Sequence, residues 1–133
     1  VARRLGILHL DTGAMYRALT LKAIRKNVDF ENEDVLVKLA NNTTIDITNK
    51  LDGVLVSLDG EDVSEEIRTQ DVTNKTFYVA RAPRVREIMV NWQKTIGAKR
   101  SIVVEGRDVT TVVFPNAKFK FYLDMNIIFR IFC

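Results

Sequence analysis

Two short apolar runs, each followed at once by polar residues, constrain the fold of this chain more than any other feature. The first is "GILHL" at residues 6–10, and the second is "SIVVE" at residues 101–105. A continuous apolar run of this length is typical of a strand that is buried on both faces of a parallel sheet. Helical patterns occupy much of the sequence between the two runs. Together they predict an α/β fold in which helices cover a parallel sheet.

The helical patterns begin directly after the first predicted strand. Thr12 is expected to cap the segment "GAMYRALTLKAIRK", and "EDVLVKLANN" predicts a second, shorter helix. Thr69 is expected to begin a third helix. Pro83 suits the first turn of a fourth helix, which we expect Gly97 to end.

Alternating patterns predict strands of a different kind. Between residues 43 and 60, Ile45 and Ile47 fall on one face, "LDG" suits a turn and "VLVSL" alternates again. This segment predicts a β-hairpin or small antiparallel sheet inserted into the main fold. At residues 118–124, "KFKFYLD" alternates lysine with phenylalanine, and we expect a third strand of the main sheet there, toward an edge.

The composition excludes several classes of protein. The 133 residues contain 20 Lys+Arg and 17 Asp+Glu, spread along the chain, which argues against a nucleic-acid partner. A lone Cys133 cannot form an internal disulfide, and a lone His9 without a Cys/His cluster argues against a transition-metal site. The sequence has neither an apolar run near the ~18 residues of a membrane span nor a signal-peptide pattern. We therefore expect a soluble, cytoplasmic monomer without a membrane partner.

The ends of the two buried strands carry the candidate functional residues. "DTG" follows the first strand and "GRD" follows the second, and ligands of parallel sheets bind beyond the carboxyl ends of the strands. A helix that begins at "DTG" offers unpaired N–H groups to an anion, and Arg17 lies about one turn inside it. Arg17 and Arg107 thus form a candidate clamp for a phosphate. A structural ion pair between Arg107 and Asp108 is the simpler alternative.

"DTGA" also has a second interpretation, because it resembles half of an aspartic protease site, with Asp11 as a catalytic carboxylate on a turn between strands. Those enzymes are nearly all β and pair two such carboxylates. Here strong helical patterns follow "DTGA" and recur in "VREIMVNWQKTIG". We expect the helical alternative and keep the protease as a remote one.

Four longer segments resemble the bacterial cytidylate (CMP) kinases in order and spacing, and they cover most of residues 10–124. They are "LDTGAMYRALTLKAI", "LDGEDVSEEIRT", "APRVRE" and "VVEGRDVTTVVFPNAKFKFYLD". The resemblance implies a P-loop nucleoside monophosphate kinase, a parallel sheet flanked by helices, in one domain. Residues 1–26 and 82–133 would form its core. Residues 27–81 would form the monophosphate-binding subdomain, enlarged by the small antiparallel insert.

The resemblance also implies a reaction, the transfer of the ATP γ-phosphoryl group to CMP or dCMP, with Mg²⁺ accompanying ATP. The protein's task would be positioning and charge neutralisation rather than general-base catalysis. Arg17 and Arg107 would hold the acceptor phosphate and serve catalysis. Arg86 and Asp108 would recognise cytosine, whose N3 and O2 acceptors and N4 donor match a guanidinium and a carboxylate. The implied CMP-binding set is Thr12, Tyr16, Arg17, Arg86, Arg107 and Asp108, with Asp11 and Arg130 as further nucleotide-binding candidates.

Three departures from the family pattern bear on these expectations. The 133 residues lack the Gly-rich loop that cradles ATP phosphates, and "VARRLG" resembles the tail of the helix that follows that loop, so we expect the loop upstream of Val1. After Asp124, "MNIIFRIFC" retains Arg130 of an arginine-rich lid. Phe77 stands where the family often has a cytosine-reading serine, and Thr110 replaces a glycine of the usual turn. We expect these 133 residues alone to be inactive, and an inactive nucleotide-binding protein remains the alternative.

Overall fold

The structure is a computed structural model of the chain and describes residues 1–51 and 53–123. Among these residues, no helix combines the length and the apolar character that a membrane crossing requires. A short 3-10 helix (Glu66–Arg68) and a π-helical turn (Val109–Val113) accompany the main elements. In chain order, those elements are α1 (Ala2–Leu5), β1 (Leu8–Asp11), α2 (Thr12–Arg25), α3 (Glu33–Asn41), β2 (Ile45–Lys50), β3 (Gly53–Leu58), β4 (Glu61–Asp62), α4 (Gln70–Arg81), α5 (Pro83–Lys99) and β5 (Ile102–Glu105).

The two predicted buried strands pair with each other. β1 and β5 run parallel, with Leu8 opposite Ile102 and Asp11 opposite Glu105. The prediction of a parallel sheet flanked by helices is therefore confirmed. Because the strands are parallel and in this register, "DTG" and "GRD" meet at the same edge of the sheet.

Helix α2 forms the centre of the hydrophobic core. Its side chains Met15, Ala18 and Leu19 are almost completely buried, and Leu10 of β1 is fully buried beside them. The helix packs against α4 and against the strand β3. Each buried side chain of the size of leucine or methionine contributes about 1.5–3 kcal/mol relative to an exposed one. The first helical turns, which carry the candidate site, are thus held on a rigid element.

The predicted insert is an antiparallel sheet of three strands. β2 pairs with β3, and β4 adds two residues to the far edge of β3. Ile45 and Ile47 are buried on one face, as the alternation predicts, together with Val56 and Leu58 of β3. This face packs on α2, so the insert and the parallel sheet share one core.

Asn49 of β2 connects the insert to the outer edge of β1. Its side-chain amide accepts a hydrogen bond from the His9 N–H (3.3 Å) and donates one to the carbonyl of Ile7 (2.9 Å). One amide side chain thereby satisfies two backbone groups that a neighbouring strand would otherwise pair.

Gly97 does not end α5, which continues to Lys99, so that prediction was wrong. A Cβ atom at residue 97 would lie 2.5 Å from the Phe114 ring and 3.2 Å from the Cδ1 atom of Ile102. The glycine is required for close packing of Phe114 against the helix, and its position near the end of the hydrophobic pattern is a coincidence of sequence.

The expected strand at residues 118–124 is also wrong for the described part, because residues 118–123 form neither helix nor strand. Phe119, Phe121 and Tyr122 are 74%, 82% and 87% exposed. Alternation favours a strand only when a partner strand pairs with it, and in the described residues β5 pairs with β1 alone. Asp124, like Arg130 and Cys133, lies outside the described residues.

Asp59 accepts one hydrogen bond from α2 and one from within the insert. Its carboxylate accepts from the ammonium group of Lys22 (2.6 Å) and from the Thr44 N–H (2.8 Å). Partial burial acts to raise the pKa of the Asp59 carboxyl, but these two hydrogen bonds together outweigh it and leave the pKa below its ordinary value of 3.8. A carboxyl whose pKa is lowered by folding stabilises the folded state above its unfolded pKa.

We predict that Asp59→Asn lowers the free energy of unfolding at pH 7, because asparagine keeps the shape and removes the charge. The difference from the wild type should be constant above about pH 5 and should shrink as the pH falls below about 4, through the lowered pKa of Asp59. Urea unfolding followed by circular dichroism at several pH values measures this difference in the free energy of unfolding. The control is Asp46→Asn, an exposed carboxylate on β2. A difference that does not change with pH would contradict the assignment.

Candidate functional site

Asp11, rather than Thr12, caps helix α2. The Asp11 carboxylate accepts a hydrogen bond from the Ala14 N–H (3.1 Å), and Asp11 has the extended backbone of a cap residue. Thr12 is the first helical residue, and its buried hydroxyl instead donates to the carbonyl of Glu105 on β5 (2.8 Å). The predicted cap was therefore wrong by one residue, because the hydroxyl has a better partner on the neighbouring strand.

Gly106 allows the end of β5 to pass directly against the start of α2. A Cβ atom at this position would lie 2.2 Å from the Thr12 hydroxyl oxygen and 2.7 Å from the Cγ2 atom of Val109. No side chain larger than hydrogen fits there without displacing Thr12. Sequence reasoning singled out "GRD" for its arginine and aspartate and missed the glycine, although a glycine between a strand and a polar turn is a signal of close approach.

An ion pair joins α5 to the turn after β5. A guanidinium nitrogen of Arg86 lies 2.5 Å from the Asp108 carboxylate, and a second one donates to the carbonyl of Ala80 (3.3 Å). The side chains are 42% and 25% exposed, so both remain reachable by a ligand. Asp108 thus pairs with Arg86, and the alternative of a structural ion pair between Arg107 and Asp108 is wrong.

Tyr16 lies on α2 close to this ion pair. Its side chain is half-buried, and burial raises the pKa of the phenol above its ordinary value. The positive charge of Arg86 opposes that rise, whereas the negative charge of Asp108 adds to it. The phenol therefore stays protonated at neutral pH and can donate one hydrogen bond.

Arg17 extends from α2 toward the base of α4. One guanidinium nitrogen donates to the Thr73 hydroxyl (3.2 Å) and lies 3.4 Å from the carbonyl of Ile67. A guanidinium carries five N–H donors, so others remain for a ligand. Sequence reasoning missed Thr73, because a threonine on the polar side of an amphipathic helix carries no signal of its own.

Arg107 is exposed and directly follows Gly106 at the carboxyl end of β5. Across residues 1–51 and 53–123, no hydrogen bond joins it to Arg17 or to the other candidate residues. The structure thus brings together Tyr16, Arg86 and Asp108, and it places Arg17 next to Tyr16 on the same helix. The phosphate clamp formed by Arg17 and Arg107 stays a prediction.

The arrangement brings hydrogen-bond donors and an acceptor together at one edge of the sheet. The arginines suit an anion, although the Asp11 carboxylate already caps the N-terminus of α2, and the Arg86–Asp108 pair offers both donors and an acceptor to a polar ring. The described residues hold no group of three His, Cys, Asp or Glu side chains that could bind a metal ion.

Comparison with known proteins agrees with this geometry. Residues 1–131 match the family model for cytidylate kinase. The chain belongs to the cytidylate kinase family. The aspartic protease interpretation of "DTGA" is accordingly wrong, and the structure gives the reason, since the Asp11 carboxylate caps a helix instead of lying between two strands.

Individual cytidylate kinases are similar over nearly the whole chain. That of Caldanaerobacter subterraneus subsp. tengcongensis is 46% identical over 127 residues, which are 96% of this chain and 55% of the relative. That of Pelotomaculum thermopropionicum is 47% identical over 124 residues, covering 92% and 55%. That of Geobacillus sp. is 42% identical over 127 residues, covering 96% and 57%. The chain spans roughly half the length of the curated relatives it matches.

We predict that Gly106→Ala lowers the free energy of unfolding by about 1–3 kcal/mol, the usual cost of forcing an extra methyl group into a packed site. The matched control is Gly13→Ala, where the added methyl would meet only the Asp11 carboxylate, at 3.2 Å. Urea unfolding of both variants measures the difference. Equal stability of the two variants would contradict the requirement for glycine at residue 106.

Proposed function

We propose that the protein transfers the γ-phosphoryl group of ATP to CMP, and also to dCMP, and that the described residues form the acceptor-nucleotide site. The observation that carries the proposal is the accessible Arg86–Asp108 pair beside Tyr16, at the carboxyl end of a parallel sheet, in a chain of the cytidylate kinase family. The relatives bear the name of that activity.

The ion pair matches the polar edge of cytosine. Arg86 can donate to the acceptors N3 and O2, and the Asp108 carboxylate can accept from the amino group at N4. One Asp108 oxygen pairs with Arg86, which orients the carboxylate and leaves the other oxygen for the base. Uracil has a carbonyl in place of the amino group, so it would face the carboxylate with like partial charge.

The acceptor phosphate would lie against Arg17 and Arg107, with Thr12 and Tyr16 lining the same site. Two guanidinium groups neutralise the phosphate and hold it in line with the donor, which is the main demand of phosphoryl transfer. Asp11 contributes indirectly, because it caps α2, whose first two turns carry Thr12, Tyr16 and Arg17.

Mg²⁺ would arrive with ATP and neutralise charge on the transferred phosphoryl group. The described residues hold no group of three His, Cys, Asp or Glu side chains that could bind the ion. Arg130, a further candidate for nucleotide binding, lies outside the described residues.

The same proposal divides the chain into a core and a monophosphate-binding subdomain. Residues 1–26 and 82–133 would form the core, and residues 27–81 would form the monophosphate-binding subdomain with the antiparallel insert. Arg17 would connect the two parts, because it joins α2 to Thr73 of α4.

We predict that Arg17→Ala and Arg107→Ala each weaken CMP binding by about 1.5–3 kcal/mol, the value of a hydrogen bond to a charged group. Calorimetric titration with CMP measures it, alongside an assay of ADP formation from ATP and CMP. The control is Arg100→Ala, an exposed arginine two residues before β5, at the other end of the sheet. Unchanged binding in both variants would overturn the clamp. CMP binding without ADP formation by the full-length protein would favour the inactive nucleotide-binding protein, since the 133 residues alone are expected to be inactive.

We predict that Asp108→Asn reduces the preference for CMP over UMP by about tenfold or more, because the carboxylate is the group that accepts from the cytosine amino group. The measurement is the ratio of the UMP and CMP dissociation constants in the wild type and the variant, with Asp46→Asn as the control. A ratio that stays the same would show that another group distinguishes the two bases.

A further inference from the structure

Gln93 on α5 is a polar side chain on the buried side of its helix. It is 1% exposed and continues the stripe formed by Val85 and Met89, which are both buried in the core. Its amide nitrogen Nε2 has no hydrogen-bond partner among residues 1–51 and 53–123. Most buried polar groups in native proteins are paired, because a buried group without a partner destabilises the folded state. Packing alone therefore does not explain a glutamine at this position.

The position of Gln93 on α5 shows which part of the chain it faces. A guanidinium nitrogen of Arg86 lies 2.5 Å from the Asp108 carboxylate, and a Cβ atom at residue 97 would lie 2.5 Å from the Phe114 ring. Gln93 lies seven positions after Arg86 and four before residue 97, so all three share one side of the helix. Gln93 thus lies between these two contacts, on the side of α5 that packs against the π-helical turn.

The π-helical turn (Val109–Val113) combines two patterns of backbone hydrogen bonds. The Asp108 carbonyl accepts from the N–H of Val112 (2.9 Å), which is the spacing of an α-helix. The same carbonyl accepts from the N–H of Val113 (3.3 Å), which is the spacing of a π-helix. Because one carbonyl serves both patterns, the turn can change from one to the other while this carbonyl stays paired. Single π-helical turns are frequent at functional sites.

This turn begins directly after Asp108, which is the proposed acceptor for the amino group of cytosine. A base that binds there changes the contacts of the Asp108 carboxylate, and the adjoining turn is the element that can adjust. A change of hydrogen-bond pattern reorients the carbonyl groups of the turn, and a backbone carbonyl is an acceptor for an amide N–H. Gln93 supplies a buried, unpaired donor on the helix that packs against these carbonyls.

We propose that Gln93 is a positioning residue for recognition of the acceptor base. With a nucleotide bound, its Nε2–H donates to a carbonyl of the turn 109–113 and holds Asp108 in the arrangement that contacts the base. The inference rests on the proposed function and adds a conformational device to it. The amide is unpaired without ligand and paired with it, so the nucleotide favours the arrangement of the turn in which Gln93 has an acceptor.

The test compares the wild type with Gln93→Met in the full-length protein. Methionine keeps the approximate length of the side chain and removes the amide. Urea unfolding without nucleotide should give a higher midpoint for Gln93→Met, because the variant no longer buries an unpaired polar group. Calorimetric titration with CMP should show binding that is weaker by about fivefold or more, because the hydrogen bond formed on binding is lost.

The matched control is Gln70→Met, which replaces an exposed glutamine at the start of α4. The Gln70 amide donates to the side chain of Asn74 on the same helix (2.8 Å) and is not buried. This variant should change neither the urea midpoint nor the affinity for CMP.

Heteronuclear NMR of the wild type gives a second measurement that does not depend on how well a variant folds. Saturation with CMP should move the side-chain NH₂ signal of Gln93 downfield, as expected for an N–H group that gains an acceptor. The corresponding signal of Gln70 should stay in place. A Gln93 signal that does not respond to CMP would overturn the inference.

The remaining outcomes separate this inference from the proposed function. An unchanged or lower urea midpoint for unliganded Gln93→Met overturns the inference, because the amide would then already be paired. Unchanged affinity of Gln93→Met for CMP also overturns it and leaves the proposed function intact. A wild type that does not bind CMP overturns the proposed function, and this inference with it.

Discussion

The parallel pairing of β1 with β5 is the interaction on which the other features of the site depend. At the ends of the two strands, Thr12 donates a hydrogen bond to the carbonyl of Glu105, which is 93 positions away in sequence. The whole segment from α2 to α5 connects the two strands. Placing Asp11 opposite Glu105 brings the start of α2 against Gly106. A shift of one residue would put a side chain where only hydrogen fits. The register of two strands thus determines which residues can reach a ligand.

The resting state of the site is internally paired rather than open. Arg86 holds Asp108, and Arg17 holds Thr73, so these four side chains have partners before a ligand arrives. Partial exposure keeps the cost of separating these partners small, since ion pairs near water are worth only about 1 kcal/mol or less. The pairs fix the direction of the side chains at low cost, which reduces the entropy that binding would otherwise remove.

The sequence predicted the elements well where the signal was local, and it failed where a distant partner decided. "GILHL" and "SIVVE" are strands, and the pattern after "DTG" is a helix, because period and composition act within a few residues. Which residue caps α2 depends on Glu105, and the requirement for Gly97 depends on Phe114. Whether residues 118–123 form a strand depends on a partner strand. No local pattern contains that information. The resemblance supplied the candidate residues, but not the pairing of Arg86 with Asp108.

Asn49 has a consequence for solubility. An unpaired strand edge is a template on which another chain can add a strand, and β1 would present such an edge. The Asn49 amide pairs with the His9 N–H and with the Ile7 carbonyl at this edge. A side-chain amide is too short to continue the hydrogen-bond ladder of a sheet. Because Asn49 belongs to the insert, any motion that lifts the insert from β1 also uncovers this edge. Attachment of the insert and resistance to intermolecular β-pairing are therefore one property of the fold.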